Sequence, residues 1–455
     1  MNTSQILGVL SSTVTLGAAM AQTASFLPLG SAPGGRPPIQ SQAWSVSLDG
    51  SIATGWTSAN IDGDDVIVAF RADTSAGVPT LLDLSGVDIF DASGDGSVIV
   101  GPTFEEDPRD PGNFGLIGYR YSDAGGKELI LSPVLDTFST AAAVSADGTT
   151  VVGMVNFIRT FPDGLESSNA YIHTPDGGLQ ILSDLFDAGD RYEAFDVDAD
   201  GSHVVGFADD FLGRRKAVVW ETDELTPQII PEVPGNLDKM IATAISRNGR
   251  YVAGFSLTFL DPGGNFREDA WIFDRQTNEI ELLGETPSGF FTAVPAAITD
   301  DGVVVGTFNS TFFFDLPEGA GFIWSSQDGL RFLDDAVADD YGLTVPEWDL
   351  VAVRDVTPDG STIVGYARNT IDTHMEGYVL RLGVAPPCPA DLTGSGGSGE
   401  PDGVVDANDF FFYLGLFAAG DRRADLPTSP DDAPDGVIDA NDFFAYLNLF
   451  AAGCP

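Results

Sequence analysis

At 455 residues, with 68 acidic against 21 basic side chains and a formal charge of −47, the chain is too long for one ordinary domain. It is also too acidic to pair with nucleic acid or an anionic membrane surface. A hydrophobic content of 43% with 53 glycines reads as folded β structure rather than disorder, and most of the carboxylates are expected to form a solvated acidic shell whose natural partners are cations.

Residues 1–21 have the pattern of a secretory signal: Ile6 to Leu16 form a short apolar core, and Ala19-Met20-Ala21 is a small-x-small cleavage site, so the mature chain is expected to begin at Gln22. The n-region carries no Lys or Arg. No later apolar run is long enough to span a membrane, which predicts a secreted, extracellular or cell-surface product without membrane insertion. Next comes a short strand, Ser25-Phe26-Leu27-Pro28-Leu29-Gly30.

From there to about residue 383 one pattern repeats. Ala143-Val144-Ser145-Ala146-Asp147-Gly148-Thr149-Thr150-Val151-Val152-Gly153 joins two apolar alternations through an Asp-Gly pair and spells a β-hairpin. The pair recurs at Asp49-Gly50, Asp95-Gly96, Asp147-Gly148, Asp200-Gly201, Asn248-Gly249, Asp301-Gly302 and Asp359-Gly360. Subtracting neighbours gives steps of 46, 52, 53, 48, 53 and 58 residues, the period at which blades of four short strands close into a propeller. A third strand follows each hairpin and opens with a small residue, usually followed by an aromatic, as in Ala170-Tyr171, Ala270-Trp271 and Gly377-Tyr378. A polar turn and a fourth strand such as Leu179-Gln180-Ile181-Leu182 complete the unit. The last repeat stops after its third strand, at Leu382, so the strand at residues 25–30 is expected to complete it and leave no open sheet edge.

Hairpin plus small-aromatic strand resembles the extracellular HAF-type repeat, over roughly residues 25–383. The residue before each small-aromatic pair is Val68, Ile117, Asn169, Lys216, Asp269, Ala320 or Glu376, never the histidine for which that family is named, so no role for that histidine carries over. The turns also lack the later Gly and Trp of the sialidase Asp-box and imply no glycosidase.

In a propeller the connections between second and third strands share a face with the inter-blade connections, and a ligand is expected there. Asp107, Arg109, Asp110, Tyr192, Arg267 and Trp348 fall on that face, but no spacing marks a catalytic pair among them and ordinary polar loops account for them. The only histidines are His173, His203 and His374; His173 stands where other repeats carry Tyr, Trp or Phe, so it is expected to pack within a strand. No Ser-His-Asp grouping, HExxH helix or phosphate-cradling glycine loop is visible.

At Val384-Ala385-Pro386-Pro387 the repeats give way to a short rigid linker. A second repeat follows: Pro401-Asp402-Gly403-Val404-Val405-Asp406-Ala407-Asn408-Asp409-Phe410-Phe411 returns 33 residues later as Pro434-Asp435-Gly436-Val437-Ile438-Asp439-Ala440-Asn441-Asp442-Phe443-Phe444. Asp402, Asp406 and Asp409 stand at positions 5, 9 and 12 of an EF-hand-like loop, with Gly403 at the sharp turn and the Val404 carbonyl at position 7. Asp435, Gly436, Val437, Asp439 and Asp442 repeat the set. Apolar helices are expected at Phe410 to Ala419 and Phe443 to Ala452, ended by Gly420 and Gly453.

The pair resembles a dockerin, a duplicated calcium-loop-plus-helix module that in its family binds a cohesin. Asp391 and Asp425 are candidates for position 1, but they lie 11 and 10 residues before the position-5 aspartates where four are expected, so an insertion must loop out. Thr393 then supplies position 3 of the first loop, whereas Pro427 offers no side-chain ligand in the second and Glu400 or Asp431 are substitutes. The cysteines Cys388 and Cys454 bracket the module, and in an exported chain read as a disulfide clasping its ends. The framing by these cysteines, with Ala-Ala-Gly at the helix ends, resembles the GC-type dockerin of exported bacterial proteins over residues 388–455.

The expected fold is therefore mainly β: a signal at 1–21, a seven-bladed β-propeller at 22–383, a linker at 384–387 and a small all-α, EF-hand-like module at 388–455 that binds two calcium ions. The expected function is that of an exported, monomeric binding or structural propeller with carbohydrate as a candidate ligand, tethered by calcium-dependent docking to a cohesin-like or other surface-anchoring protein. The alternative is a polysaccharide-degrading enzyme component recruited through the same module; no acid pair supports it, and an enzyme is the weaker expectation.

Overall fold

The computed structural model describes residues 24–30, 41–61, 64–75, 79–134, 138–157, 167–185, 191–233, 239–259, 266–309, 319–382, 390, 392–393, 407–419, 424, 426 and 438–452. The signal segment, the linker and both cysteines fall outside them. The chain divides into two compact units, one spanning Ala24–Ala385 and the other containing Pro386–Cys454.

The larger unit is mainly β. Among the described residues its strands form five separate four-stranded sheets and one eight-stranded sheet, whose two four-stranded halves meet through a single parallel pair, Glu268 with Thr292. Each four-stranded run is an antiparallel meander, as in Ser139–Val144, Val151–Phe157, Ser167–Thr174 and Gly178–Ile181. The first strands are Ser41–Val46, Asp91–Ala92, Ser139–Val144, Tyr192–Val197, Met240–Ile245, Thr292–Ile298 and Trp348–Val356. Each lies against the next, and the last lies against Ser41–Val46, so the sheets close into a ring of propeller type.

Closure uses the N-terminal strand. Ser25–Pro28 pairs antiparallel with Met375–Arg381, from Ser25 opposite Arg381 to Pro28 opposite Tyr378. Phe26 packs on Trp348 and Tyr378 on one side, and Leu27 and Leu29 pack on the other with Ala43, Phe70 and Val379. The first and last strands of the unit thus complete one sheet, as the unfinished last repeat requires.

The repeated turns are longer than a two-residue hairpin and act as clasps. In Ser145-Ala146-Asp147-Gly148 the Gly148 amide donates to Ser145 O and Gly148 takes φ 73°. The Ser145 hydroxyl and the Thr149 amide and hydroxyl all donate to Asp147 Oδ1. The residue between Ser and Asp then links neighbouring sheets: Leu48 N donates to Gly94 O, Gly94 N to Ala146 O, Ala146 N to Ala199 O, Ala199 N to Arg247 O, and Asp300 N to Pro358 O, all at 2.8–3.0 Å. Between Arg247 and Asp300 the link is made by Asn248, whose amide donates to Asp300 Oδ1 and whose Nδ2 donates to Asp300 O, and Pro358 has no N–H to donate onward.

A second repeated device shapes the centre. Six first strands carry a register shift, around Trp44, Ala142, Phe195, Thr243, Ala296 and Arg354, and Phe90 holds the equivalent place in the short Asp91–Ala92 strand. Each stands five residues before the turn Asp or Asn. The bulge drives a carbonyl toward the second strand, where only glycine fits: a Cβ at Gly55, Gly101, Gly153, Gly206, Gly254, Gly306 or Gly365 would lie 1.9–2.3 Å from that oxygen. In three sheets the third-strand tyrosine caps the same oxygen, with Tyr119 to Asp88 O, Tyr171 to Thr140 O and Tyr378 to Ala352 O at 3.0–3.2 Å. The small residue beside it gives way to the next sheet, since a Cβ at Gly118 would meet Ala141 N at 2.8 Å and one at Gly377 would meet Ala43 N at 2.8 Å. The repeat motif therefore records the packing of bulge, glycine and aromatic.

One element was not expected. Leu333–Tyr341 forms a helix after the Gly329–Phe332 strand, ends on left-handed Gly342 and buries Leu333, Ala336 and Val337 against the adjoining sheets.

The second unit contains the helices Ala407–Ala419 and Ala440–Ala452. Both begin three residues earlier than the apolar pattern implies, because Ala-Asn-Asp makes the first turn and places an acidic side chain at the helix N-terminus. Tyr413 and Tyr446 stack at 3.8 Å with planes 4° apart. Each hydroxyl crosses to the other repeat, Tyr413 to Ala424 O at 3.1 Å and Tyr446 to Ala390 O at 3.2 Å. The duplicated sequence thus folds as a pair related by an approximate two-fold, with Phe410 on Phe450 mirrored by Phe443 on Phe417. Among the described residues no helix is long and apolar enough to cross a membrane.

Candidate functional site: the central channel

The bulge residues point into the middle of the ring and line a cavity of about 430 Å³, within the range of small-molecule sites. Its wall is uneven. Trp44, Phe90, Phe195 and Arg354 supply bulk, while Ala142, Thr243 and Ala296 leave space opposite them. Trp44 and Phe90 lie 5.3 Å apart, and the Arg354 guanidinium sits 3.9 Å from the Trp44 ring centre and 5.4 Å from that of Tyr366.

Toward the turn end the channel narrows to a polar pocket of about 90 Å³ that includes Asp91, Asp196, Asp355 and Arg247. The three aspartates each follow a bulge residue and bond to the next sheet: Asp355 accepts from Val46 N at 2.9 Å, Asp91 from Val144 N at 2.9 Å and Asp196 from Ile245 N at 2.8 Å. Ser45 donates to both Asp91 and Asp355. Arg247 enters from its turn, its Nη2 3.8 Å from Asp91 Oδ1. Burial pushes Asp196 up to about 7 and Asp355 to about 6, against the pull of Arg247, and raises Asp91 as well.

Stability follows from these shifts. The folded ring holds protons that the unfolded chain, with carboxyls near 3.8, has already shed, so stability should fall as pH rises from about 4 to about 7. Asp196→Asn cannot ionise and should flatten part of that slope. Urea midpoints across this range check it, and an unchanged slope in the variant would show that Asp196 does not titrate there.

The residues named from sequence lie elsewhere. Asp107 and Arg109 pair with each other at 2.7 Å, Arg109 also donates to Ser132 O, and Asp110 N bonds to Asp107 O, which makes a loop clasp. Tyr192 is buried against Asn169, and Trp348 packs on Phe26 and His374. The Arg267 side chain is outside the described residues. His173 is buried in its strand, as expected. His374 is held between Asp372 and Glu376. The expectation that no Ser-His-Asp grouping exists needs correcting: Ser202 Oγ lies 2.8 Å and Asp198 Oδ2 2.6 Å from His203. Both meet the same nitrogen, Nδ1, so the ring cannot pass a proton from serine to carboxylate in the manner of a triad.

Of the calcium-loop candidates, Asp409, Asp439 and Asp442 are described; Asp391, Asp402, Val404, Asp406, Asp425, Asp435 and Val437 lie outside the described residues, as do Cys388 and Cys454. Asp409 is fully buried, and its Oδ1 accepts from Leu392 N at 2.7 Å and Thr393 N at 2.8 Å. Asp442 accepts from Leu426 N and Asp439 N, both at 2.7 Å. Among the described residues no three His, Cys, Asp or Glu side chains group as a metal site.

Sequence reasoning missed the channel because its defining position carries Trp, Phe, Ala, Thr or Arg. The signal was the constant offset of five residues before each turn, not a residue type.

No family model matches the chain, and no curated protein matches it. Among solved structures it is similar to the β-propeller domain of the Trilobed protease from Pyrococcus furiosus, at 11% identity and TM-score 0.47, covering 75% of this chain and 95% of that one. It is similar to an oligogalacturonate lyase from Vibrio parahaemolyticus at 12% identity and TM-score 0.47, covering 80% and 98%. It is also similar to TolB from Acinetobacter baumannii at 11% identity and TM-score 0.37, covering 73% and 81%.

Proposed function

We propose that this is an exported binding protein whose propeller presents its central channel to a ligand and whose C-terminal module docks it, through two calcium-filled loops, to a cohesin-like or other surface-anchoring partner. In this reading the eight-stranded sheet counts as two blades and the ring has seven.

One observation carries the docking half. Asp409 and Asp442, the last acidic positions of the two loops, accept hydrogen bonds from the amides of Leu392 and Leu426, which directly follow Asp391 and Asp425. Start and end of each long loop therefore meet, as a cation-binding loop with an internal insertion requires. Carboxylates with a main-chain carbonyl are the donor set of a hard cation, and this fits calcium. Asp391, Asp402, Val404, Asp406 and Asp409 would hold the first ion, and Asp425, Asp435, Val437, Asp439 and Asp442 the second; the ion's role is to neutralise crowded carboxylates and so fix the helices. Each helix also leaves a phenylalanine exposed at the same repeat position, Phe411 and Phe444, which suits a partner surface.

Equilibrium dialysis tests the reading. About two calcium ions should bind per chain, and Asp402→Ala combined with Asp435→Ala should remove both without lowering the stability of the propeller. Uptake unchanged in the double variant would refute the loop assignment.

A further inference from the structure

We infer that the channel takes an aromatic carboxylate, with Arg354 as the anchor for its anionic group. This deepens the reading of the propeller as a binding unit and is independent of the calcium loops.

The charge pattern points there first. In a chain of 68 acidic and 21 basic residues, cations rarely lack a carboxylate. Every other described arginine has a hydrogen-bond acceptor or an acidic partner. Arg354 has neither among the described residues, and its Nε is buried without a hydrogen-bond partner. The neighbouring acids are committed elsewhere. Asp355, next in sequence, turns both oxygens onto Ser45, Val46 and Val356. Glu193, also on the channel wall, accepts from Ser168 at 2.7 Å and faces Arg191 at 3.6 Å.

Stacking on Trp44 and Tyr366 holds the guanidinium plane in place but leaves its five N–H donors to be satisfied at the edge. A carboxylate offers two acceptors in matching geometry. The rest of the cavity selects the body of the ligand. Trp44, Phe90, Phe195 and Met154 form apolar wall, and the small residues opposite leave room for a flat group of about two fused rings.

The test is calorimetric titration of the full chain with 2-naphthoate and with its uncharged counterpart 2-naphthamide. The acid should bind and the amide should bind at least about tenfold more weakly; Arg354→Gln should erase the difference. Because the acid-to-amide comparison is made on the unaltered chain, it stands even if the variant folds poorly. Equal affinities, or an acid preference that survives Arg354→Gln, overturn the inference while leaving a channel ligand of another class. Absence of binding by both overturns it too, as does preference for trigalacturonate, a carboxylate on a hydroxyl-rich body. Calcium uptake by the same sample reports separately on the docking half.

Discussion

A chain lacking residues 22–32 should melt about 5–10 °C lower than the intact one and should self-associate. The removed strand supplies the outer edge of the sheet that contains Met375–Arg381, and its loss exposes a row of unpaired amides and carbonyls there. It also strips Leu29, which is 1% exposed, together with the half-buried Phe26 and Leu27. At about 1.5–3 kcal/mol for a fully buried side chain, and less for the two partly exposed ones, roughly 4 kcal/mol is lost. The Gly30 and Leu29 amides lose their bonds to Glu376 and Gly377 as well. Sedimentation and thermal melting check this; a monomeric truncation with an unchanged melting temperature would mean that the ring does not depend on that strand.

Gly153→Ala should cost about 3 kcal/mol or more, a large share of the total for a single methyl group. Its Cβ would sit 2.0 Å from Thr140 O and 3.1 Å from the Tyr171 ring, and the nearest atom is backbone, which cannot rotate away. Relief requires the first and second strands to part, breaking the pairing of Ala141 with Gly153 and of Ala143 with Val152 on either side of the bulge and pulling Thr140 O off the Tyr171 hydroxyl. Denaturant titration reads the loss. A variant within about 0.5 kcal/mol of the parent would show that the bulge relaxes and that glycine is not sterically imposed.

Much of this fold is legible in the sequence because its devices recur. The turn of Ser or Thr, any residue, Asp and Gly announces itself through residues that bond to their own backbone, so Asp147 or Asp359 can be found without knowing the fold. The closing strand is legible because the last repeat lacks its fourth strand and Phe26, Leu27 and Leu29 have the right alternation. What stays hidden depends on three-dimensional register. Asp91, Asp196 and Asp355 look like three surface acids among 68, yet each follows a bulge that turns it into the ring. Arg247 sits in a turn position that other repeats fill with Leu, Gly, Ala, Asp or Pro. The Leu333–Tyr341 helix is short and carries Asp334, Asp335, Asp339 and Asp340, so its apolar face of Leu333, Ala336 and Val337 is too sparse to stand out. The Asp198, Ser202 and His203 contact escapes detection because Asp198 replaces the usual turn serine.

Two separately folded parts are proposed to divide the work, a propeller that binds and a calcium-dependent module that docks. Differential scanning calorimetry of the intact chain with calcium and with chelator tests that division most directly. Two transitions are expected: calcium should raise one of them by 10 °C or so and leave the propeller's in place, with Asp402→Ala plus Asp435→Ala behaving in calcium as the parent does in chelator. Identical thermograms with and without chelator would contradict this division of labour, since the duplicated loops would then be acidic turns that fold without a metal.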